Sequence, residues 1–217
     1  MEGAPWAKKI YDEAGLTVWQ APISEDAKVL STCFELLSAS ERARFERYGH
    51  RWKAITFALG RGTLRRILGA ELGEEPRSLQ IETDENGKPF LVGRAVEFSV
   101  SASRDLALIA LSTCGAVGVD IEWIDPSPGS LAAILRHCNS KERQYLEGSS
   151  LAEAFQAWTL KEACAKALGM GMKMPLSSLE VLFSDRVEAA RHDPLSTTRL
   201  AVPEGYCGAV ATFPQEL

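Results

Sequence analysis

The feature that most limits what this chain of 217 residues can fold into is a succession of elements that occurs twice, about one hundred positions apart. Ser38-Ala39-Ser40-Glu41 has the form of a capping box opening a helix, in which side chain and backbone satisfy each other's free N–H groups, and Asn139-Ser140-Lys141-Glu142 repeats it. Two longer helical stretches follow, Trp52 to Gly69 and Ala152 to Gly169, each closing on Leu-Gly, where a glycine suits a left-handed cap. Basic residues recur at matched spacing, Arg61 with Lys161 and Arg66 with Lys166. After each helix comes Ser-Leu and a short strand-like run, Ser78 to Ile81 and Ser178 to Val181, and each half ends in an apolar strand, Leu106 to Leu111 and Cys207 to Phe213. The order predicts an α+β fold with a pseudo-two-fold duplication: two similar subdomains, 1–112 and 113–217, meeting near Thr113–Gly118. Each would pack helices on a small, mainly antiparallel sheet. Asn86-Gly87 with Lys88-Pro89 marks a turn between strands in the first half, and Asp125 to Gly129 a loop in the second. A cleft between two such halves is the expected place for a ligand.

Composition narrows the class. Hydrophobic residues at 46% and charged residues at 24% suit a globular chain with a proper core. No apolar run approaches the roughly 20 residues of a membrane span, and Met1 to Gln20 lacks a signal-peptide pattern. Five scattered cysteines, Cys33, Cys114, Cys138, Cys164 and Cys207, never form CxxC, which predicts buried thiols in a reducing cytoplasm. The net charge is −5, yet Glu41 to Arg66 holds eight basic residues against two acids. That patch is either a solvated helix face or an attractor for phosphates.

Two segments carry candidate chemistry. In Gly118-Val119-Asp120-Ile121-Glu122 apolar and acidic residues alternate with period two, so a strand would project Asp120 and Glu122 from one face. Adjacent carboxylates repel unless a cation lies between them, and Mg²⁺ suits one or two carboxylates plus substrate phosphates; a solvated edge strand is the alternative. In Trp158-Thr159-Leu160-Lys161-Glu162-Ala163-Cys164-Ala165-Lys166 a helix places Glu162 and Lys166 on one face. Either they form an exposed ion pair, or Glu162 is a third carboxylate for the metal and the two lysines, Lys161 and Lys166, serve a diphosphate. Together the segments suit phosphoryl-type transfer on a phosphorylated substrate.

The pair of segments resembles the signatures GxDxE and WxxKExxxKxxGxG of the 4′-phosphopantetheinyl transferases, and every fixed position is present: Gly118, Asp120, Glu122, Trp158, Lys161, Glu162, Lys166, Gly169 and Gly171. Chain length and repeated layout resemble the Sfp-type branch, a pseudo-dimer in one chain, and the likeness runs from about Leu37 to Phe213. The resemblance implies transfer of the 4′-phosphopantetheine arm of coenzyme A to a serine of an acyl or peptidyl carrier protein, releasing 3′,5′-ADP. It implies Mg²⁺ on Asp120, Glu122 and Glu162, and Lys161 and Lys166 on the pyrophosphate, with Glu162 helping to deprotonate the serine. It further implies Gly87-Lys88-Pro89 near the adenine, and Arg44, Lys53 and Arg61 as candidates for the 3′-phosphate. A cytoplasmic monomer without nucleic-acid or membrane partners is expected. One departure stands out. Where the family reads F-N-x-S-H-S, this chain has Phe98-Ser99-Val100-Ser101-Ala102-Ser103, so a histidine on a phosphate is replaced by alanine. Ser101 remains as a phosphate contact and Arg104 as a candidate to compensate. A hydrogen bond to a charged group is worth about 1.5–3 kcal/mol, so weaker coenzyme A binding is expected. Ala102 also motivates an alternative, a coenzyme A- or carrier-binding homologue with little catalysis. His50, His137 and His192 fall at no family position. Met170, Met172 and Met174 are read as either carrier contacts or core filling.

Overall fold

The computed structural model describes residues 4–93, 96–170, 174–181, 186–189 and 194–214. Gly171, Met172 and His192 lie outside them. The chain opens with a hairpin that no strong sequence signal announces: β1 (Lys8–Glu13) and β2 (Leu16–Pro22) turn at Ala14 and Gly15, both with positive φ. Helix α1 (Ala27–Glu35) starts where the Asp26 carboxylate caps two N–H groups, and α2 (Ala39–Glu46) at the Ser38 capping box. The long α3 (Arg51–Leu72) leads to a small hairpin, β3 (Ile81–Thr83) and β4 (Pro89–Leu91), then to β5 (Glu97–Ser103) and β6 (Leu106–Ser112). After β7 (Gly115–Trp123) come α4 (Ser130–Leu135), α5 (Ser140–Leu146) opened by the Asn139 capping box, and α6 (Leu151–Ala167). Strands β8 (Leu179–Val181), β9 (Arg186–Ala189), β10 (Pro194–Arg199) and β11 (Tyr206–Pro214) complete the chain.

Besides the β3–β4 hairpin, two larger antiparallel sheets result, ordered β1-β2-β6-β5 and β7-β11-β10-β9-β8. They pack face to face through Val18, Leu108, Ala110, Val117, Val119, Ile121 and Val210. The opposite face of the first sheet, with Phe98, Ile109 and Leu111, lies under Leu64, Ile67 and Leu68 of α3. The opposite face of the second, with Ala209 and Ala211, lies under Leu160, Ala163 and Cys164 of α6. Both faces of β6 are thus covered, which is why Leu106–Leu111 reads as an unbroken apolar run rather than an alternation. The fold is α+β, with helices on the outside of two apposed sheets.

Each long helix is tied by one buried cation. Arg65 of α3 donates to Glu41 (2.8 Å), the glutamate of the Ser38 capping box, and to the carbonyls of Pro76 and Leu79. Lys161 of α6 pairs with Glu142 (2.8 Å), the glutamate of the Asn139 box, and donates to the carbonyls of Leu176 and Leu179. This corrects the expected correspondence of Arg61 with Lys161: the residue matching Lys161 is Arg65. Arg66 instead points its guanidinium over the Trp6 ring. Gly69 is likewise not a left-handed cap. It lies inside α3, pressed against Glu74 and Pro76, and the helix ends at Gly73 with φ 67°; on α6 the corresponding left-handed residue is Gly169, as expected. Ser78 to Gln80 precede β3, so only the end of the first expected short strand is strand, whereas Leu179 to Val181 form β8 and Ser178 alone of the second falls in a 3-10 turn. A third capping box, Ser150 with Glu153, opens α6 and was legible in the sequence as Ser-x-x-Glu.

Candidate active site

On β7 the alternation sends Val117, Val119 and Ile121 into the core between the sheets and turns Gly118, Asp120 and Glu122 toward α6. Gly118 is required by close approach: a Cβ there would lie 2.0 Å from the Ala163 carbonyl oxygen and 2.4 Å from the Ala167 nitrogen. The missing side chain lets α6 settle onto β7 and brings Glu162 and Lys166 to the acidic pair.

Asp120 is buried at 3% exposure. Its Oδ1 accepts from Lys166 Nζ (2.7 Å) and from the Ser101 hydroxyl (2.7 Å), and Lys166 also donates to Ser101 (2.9 Å) and to the Val119 carbonyl (3.1 Å). Its Oδ2 is buried with no hydrogen-bond partner among the described residues. Glu122 accepts from the Ser103 hydroxyl (3.0 Å) and from the Trp158 indole (3.3 Å). Desolvation first, and then the Asp120 charge, push the carboxyls of both Glu122 and Glu162 above the usual glutamate range. Among the described residues, no three carboxylate, imidazole or thiol groups stand close enough to share an ion in this arrangement. The Lys166 ammonium holds one Asp120 oxygen instead.

The acidic group is held from the first half by three serines on one face of β5. Ser99 accepts from Val119 N–H (3.1 Å) and Ser103 from Trp123 N–H (3.0 Å), while Ser101 bonds Asp120 as described. Hydroxyls replace a main-chain ladder between β5 and β7. Sequence reasoning took Ser101 for a phosphate contact and passed over Ser99 and Ser103, although the alternation of serines was in plain sight.

A cleft of about 660 Å³ leads away from Lys166 and Ser101 between α3, the β3–β4 turn and β5. It gathers Arg44, Lys53, Arg61, Gly87, Lys88, Pro89, Ala102 and Gly169. Lys53 is exposed; Arg44 stacks on Phe57 (4.7 Å), and Arg61 pairs with Glu41 at 3.3 Å. Asp84 accepts from the Asn86 and Lys88 N–H groups to shape the turn, with Gly87 at φ 87°, and Lys88 crosses to Gly169 while pairing with Glu97 at 3.4 Å. One expected site residue is not here. Lys161 has 0% exposure and three acceptors around its ammonium, so it faces away from the cleft as a structural tie. The sequence places it about 100° around α6 from Glu162, and the 3-10 turn at Leu176–Ser178 covers that side.

A second hollow of about 420 Å³ lies beyond Glu122, bounded by Trp123, Ile134, His137, Phe155 and Trp158. His137, given no role from sequence, packs edge-on against Trp158 at 5.0 Å. Met170 is exposed, whereas Met174 packs into the core under α6.

Residues 116–211 match the model of the 4′-phosphopantetheinyl transferase superfamily. The 4′-phosphopantetheinyl transferase HetI of Nostoc sp. is 32% identical over 163 residues, 71% of this chain and 69% of the relative. This chain belongs to the 4′-phosphopantetheinyl transferase family. Within that family it is also similar to gsp of Aneurinibacillus migulanus, 28% identical over 165 residues (73% of this chain, 67% of the relative). It is also similar to Sfp of Bacillus subtilis, 24% identical over 210 residues that cover 90% and 92% of the two chains. The matched model begins at β7 and so takes in the strand and helix that carry the acidic group.

Proposed function

We propose that this family member transfers 4′-phosphopantetheine from coenzyme A to a serine of an acyl or peptidyl carrier protein, with Mg²⁺ held by Asp120, Glu122 and Glu162. The observation that carries the reading is the buried, unpartnered Oδ2 of Asp120, set between Lys166 and two carboxylates that desolvation makes costly to ionise. Such a group gains most from a hard cation and a phosphate together. When bound, the ion supplies Lewis acidity and charge neutralisation at the pyrophosphate.

The chain's own residues account for the rest. Arg44, Lys53, Arg61 and the Gly87-Lys88-Pro89 turn receive the nucleotide end in the basic cleft, and Lys166 with Ser101 meets the pyrophosphate at its floor. The carrier serine oxygen attacks the phosphorus that bears pantetheine, its proton passes to the Glu162 carboxylate, and the P–O bond to 3′,5′-ADP breaks with the electron pair leaving on ADP.

The twin ties at Arg65 and Lys161, and the shared order of helices and strands, support a duplicated origin with the halves joined at 112–113. A site assembled within one chain supports a monomer, and five free cysteines support a reducing cytoplasm. Intact-mass measurement of an apo carrier protein with coenzyme A and Mg²⁺, beside an EDTA control, tests the reading. The expected result is a metal-dependent gain of one phosphopantetheine; no gain on fatty-acid, polyketide or peptide-type carriers would refute it.

A further inference from the structure

The loop joining β5 to β6 has two residues, Arg104 and Asp105, since Ser103 pairs with Leu106 across it. Its first position takes φ 51°, where hairpins of this length normally place glycine. For arginine that backbone is strained. The turn is pinned from outside: the Asp105 carbonyl accepts from Ile23 N–H (2.7 Å), and its carboxylate accepts from the Tyr206 hydroxyl. Arg104 is thereby aimed at β7, where its guanidinium lies 3.2 Å over the centre of the Trp123 ring. It makes no salt bridge or hydrogen bond to another described residue, and the nearby charge it acts on is Asp125. A guanidinium stacked in this way is fixed in plane, with its N–H edge available for a bidentate acceptor.

Its location is the second observation. The basic cleft, the hollow beyond Glu122 and a shallower depression beside Trp52 and Tyr206 adjoin one another, and among the described residues Arg104 alone lines all three. A molecule whose anionic nucleotide fills the basic cleft, and whose apolar arm runs toward the hollow, must carry its linking phosphates past this crossing. Ala102, on the cleft wall beside the turn, offers no donor there.

We propose that Arg104 is a binding residue for the pyrophosphate of coenzyme A, holding it where the cleft meets the hollow and supplying the cation that Ala102 does not; this rests on the transferase reading above. A planar fork suits a phosphate, and a charge-assisted contact of this kind would be worth a tenfold or greater change in affinity, about 1.5 kcal/mol or more.

The decisive variant is Arg104→Gly, which deletes the side chain while relieving the backbone, so the fold is retained. Titration calorimetry should show coenzyme A binding at least about tenfold weaker, with KM raised more than kcat falls. Dephospho-coenzyme A, which keeps the pyrophosphate and lacks the 3′-phosphate, should weaken by the same factor. Arg104→Lys should recover part of the loss, and Ala102→His placed in the Arg104→Gly background should recover part as well. Equal coenzyme A affinity in wild type and Arg104→Gly would overturn the proposal, as would an unchanged coenzyme A affinity with a raised KM for the carrier alone. A loss confined to ligands bearing the 3′-phosphate would also overturn it. Failure of the wild type itself to bind coenzyme A would bring down the transferase reading, and this inference with it.

Discussion

Helices α3 and α6 occupy matching places, each outside one sheet, each ended by a left-handed glycine, and each tied by a buried cation to a capping-box glutamate and two carbonyls. What differs is the strand beneath. The strands under α3, β5 and β6, carry Phe98, Ile109 and Leu111, packed into the core. The face of β7 turned to α6 carries Gly118, Asp120 and Glu122, and the glycine admits the helix backbone so closely that Glu162 and Lys166 reach the acidic pair. One half therefore holds the carboxylates and the other the cationic cleft, and β5 joins them through three serines. A helix laid on a sheet serves as support in one place and as chemistry in the other, because the side chains on the strand face beneath it differ.

That contrast can be broken most sharply at Asp120. Asp120→Asn should lower carrier modification at least about 10²-fold in the intact-mass assay while circular dichroism stays native, as loss of a preorganised charge at a reacting centre does. An undiminished rate would remove Asp120 from the chemistry.

The two ties come next. Deleting one partner of a buried pair leaves the other charge uncompensated, at a cost of about 3–5 kcal/mol. Lys161→Ala and Arg65→Ala should each lower Tm by roughly 10 °C in a scanning calorimeter. A stable Lys161→Ala protein that had lost only coenzyme A affinity would show that the two cations differ in kind and return Lys161 to the site. Gly118→Ala should act on both properties at once, because α6 must retreat from β7. A loss of about 1–3 kcal/mol in urea unfolding is expected, with reduced transfer by the remaining folded protein.

The smallest effect concerns Glu162. A carboxyl whose folded-state pKa is raised binds its proton more tightly in the folded chain, so that contribution is full below the ordinary glutamate range and is lost as pH rises through the raised value. In metal-free protein Glu162→Gln should thus leave Tm nearly unchanged near pH 4 and raise it by about 1–3 °C near pH 7, while transfer falls. A Tm for Glu162→Gln below that of the wild type at pH 7 would mean that Lys166 outweighs desolvation there.

Much of the site was legible because it follows local periodicity. Period two set Asp120 and Glu122 on one face, a spacing of four joined Glu162 to Lys166, and Asn86-Gly87 marked the turn that carries Lys88. Each of these depends only on the backbone repeat of its own element. Lys161 was misread for the complementary reason. Adjacent residues on a helix point in different directions, and which direction is solvent depends on what packs there, here the 3-10 turn after α6. Gly69 was misread as a cap because a buried glycine packed on Pro76 and a capping glycine look alike in sequence. The bonds of Trp158 and Ser103 to Glu122 were not legible because that partner lies 36 and 19 positions away.

By itself, the sequence determined the α+β order of elements, the capping boxes, the alternation of β7 and the residue types from which a phosphate-handling site can be built. Those are set within a few residues by hydrogen-bond geometry and side-chain period. The tertiary structure alone decided which cations face the cleft and which are ties, that Asp120 Oδ2 is buried without a partner, and that Arg104 stands where three hollows meet. Burial and proximity are properties of the packed whole: desolvation of a carboxylate depends on every layer laid over it, and no local repeat encodes that.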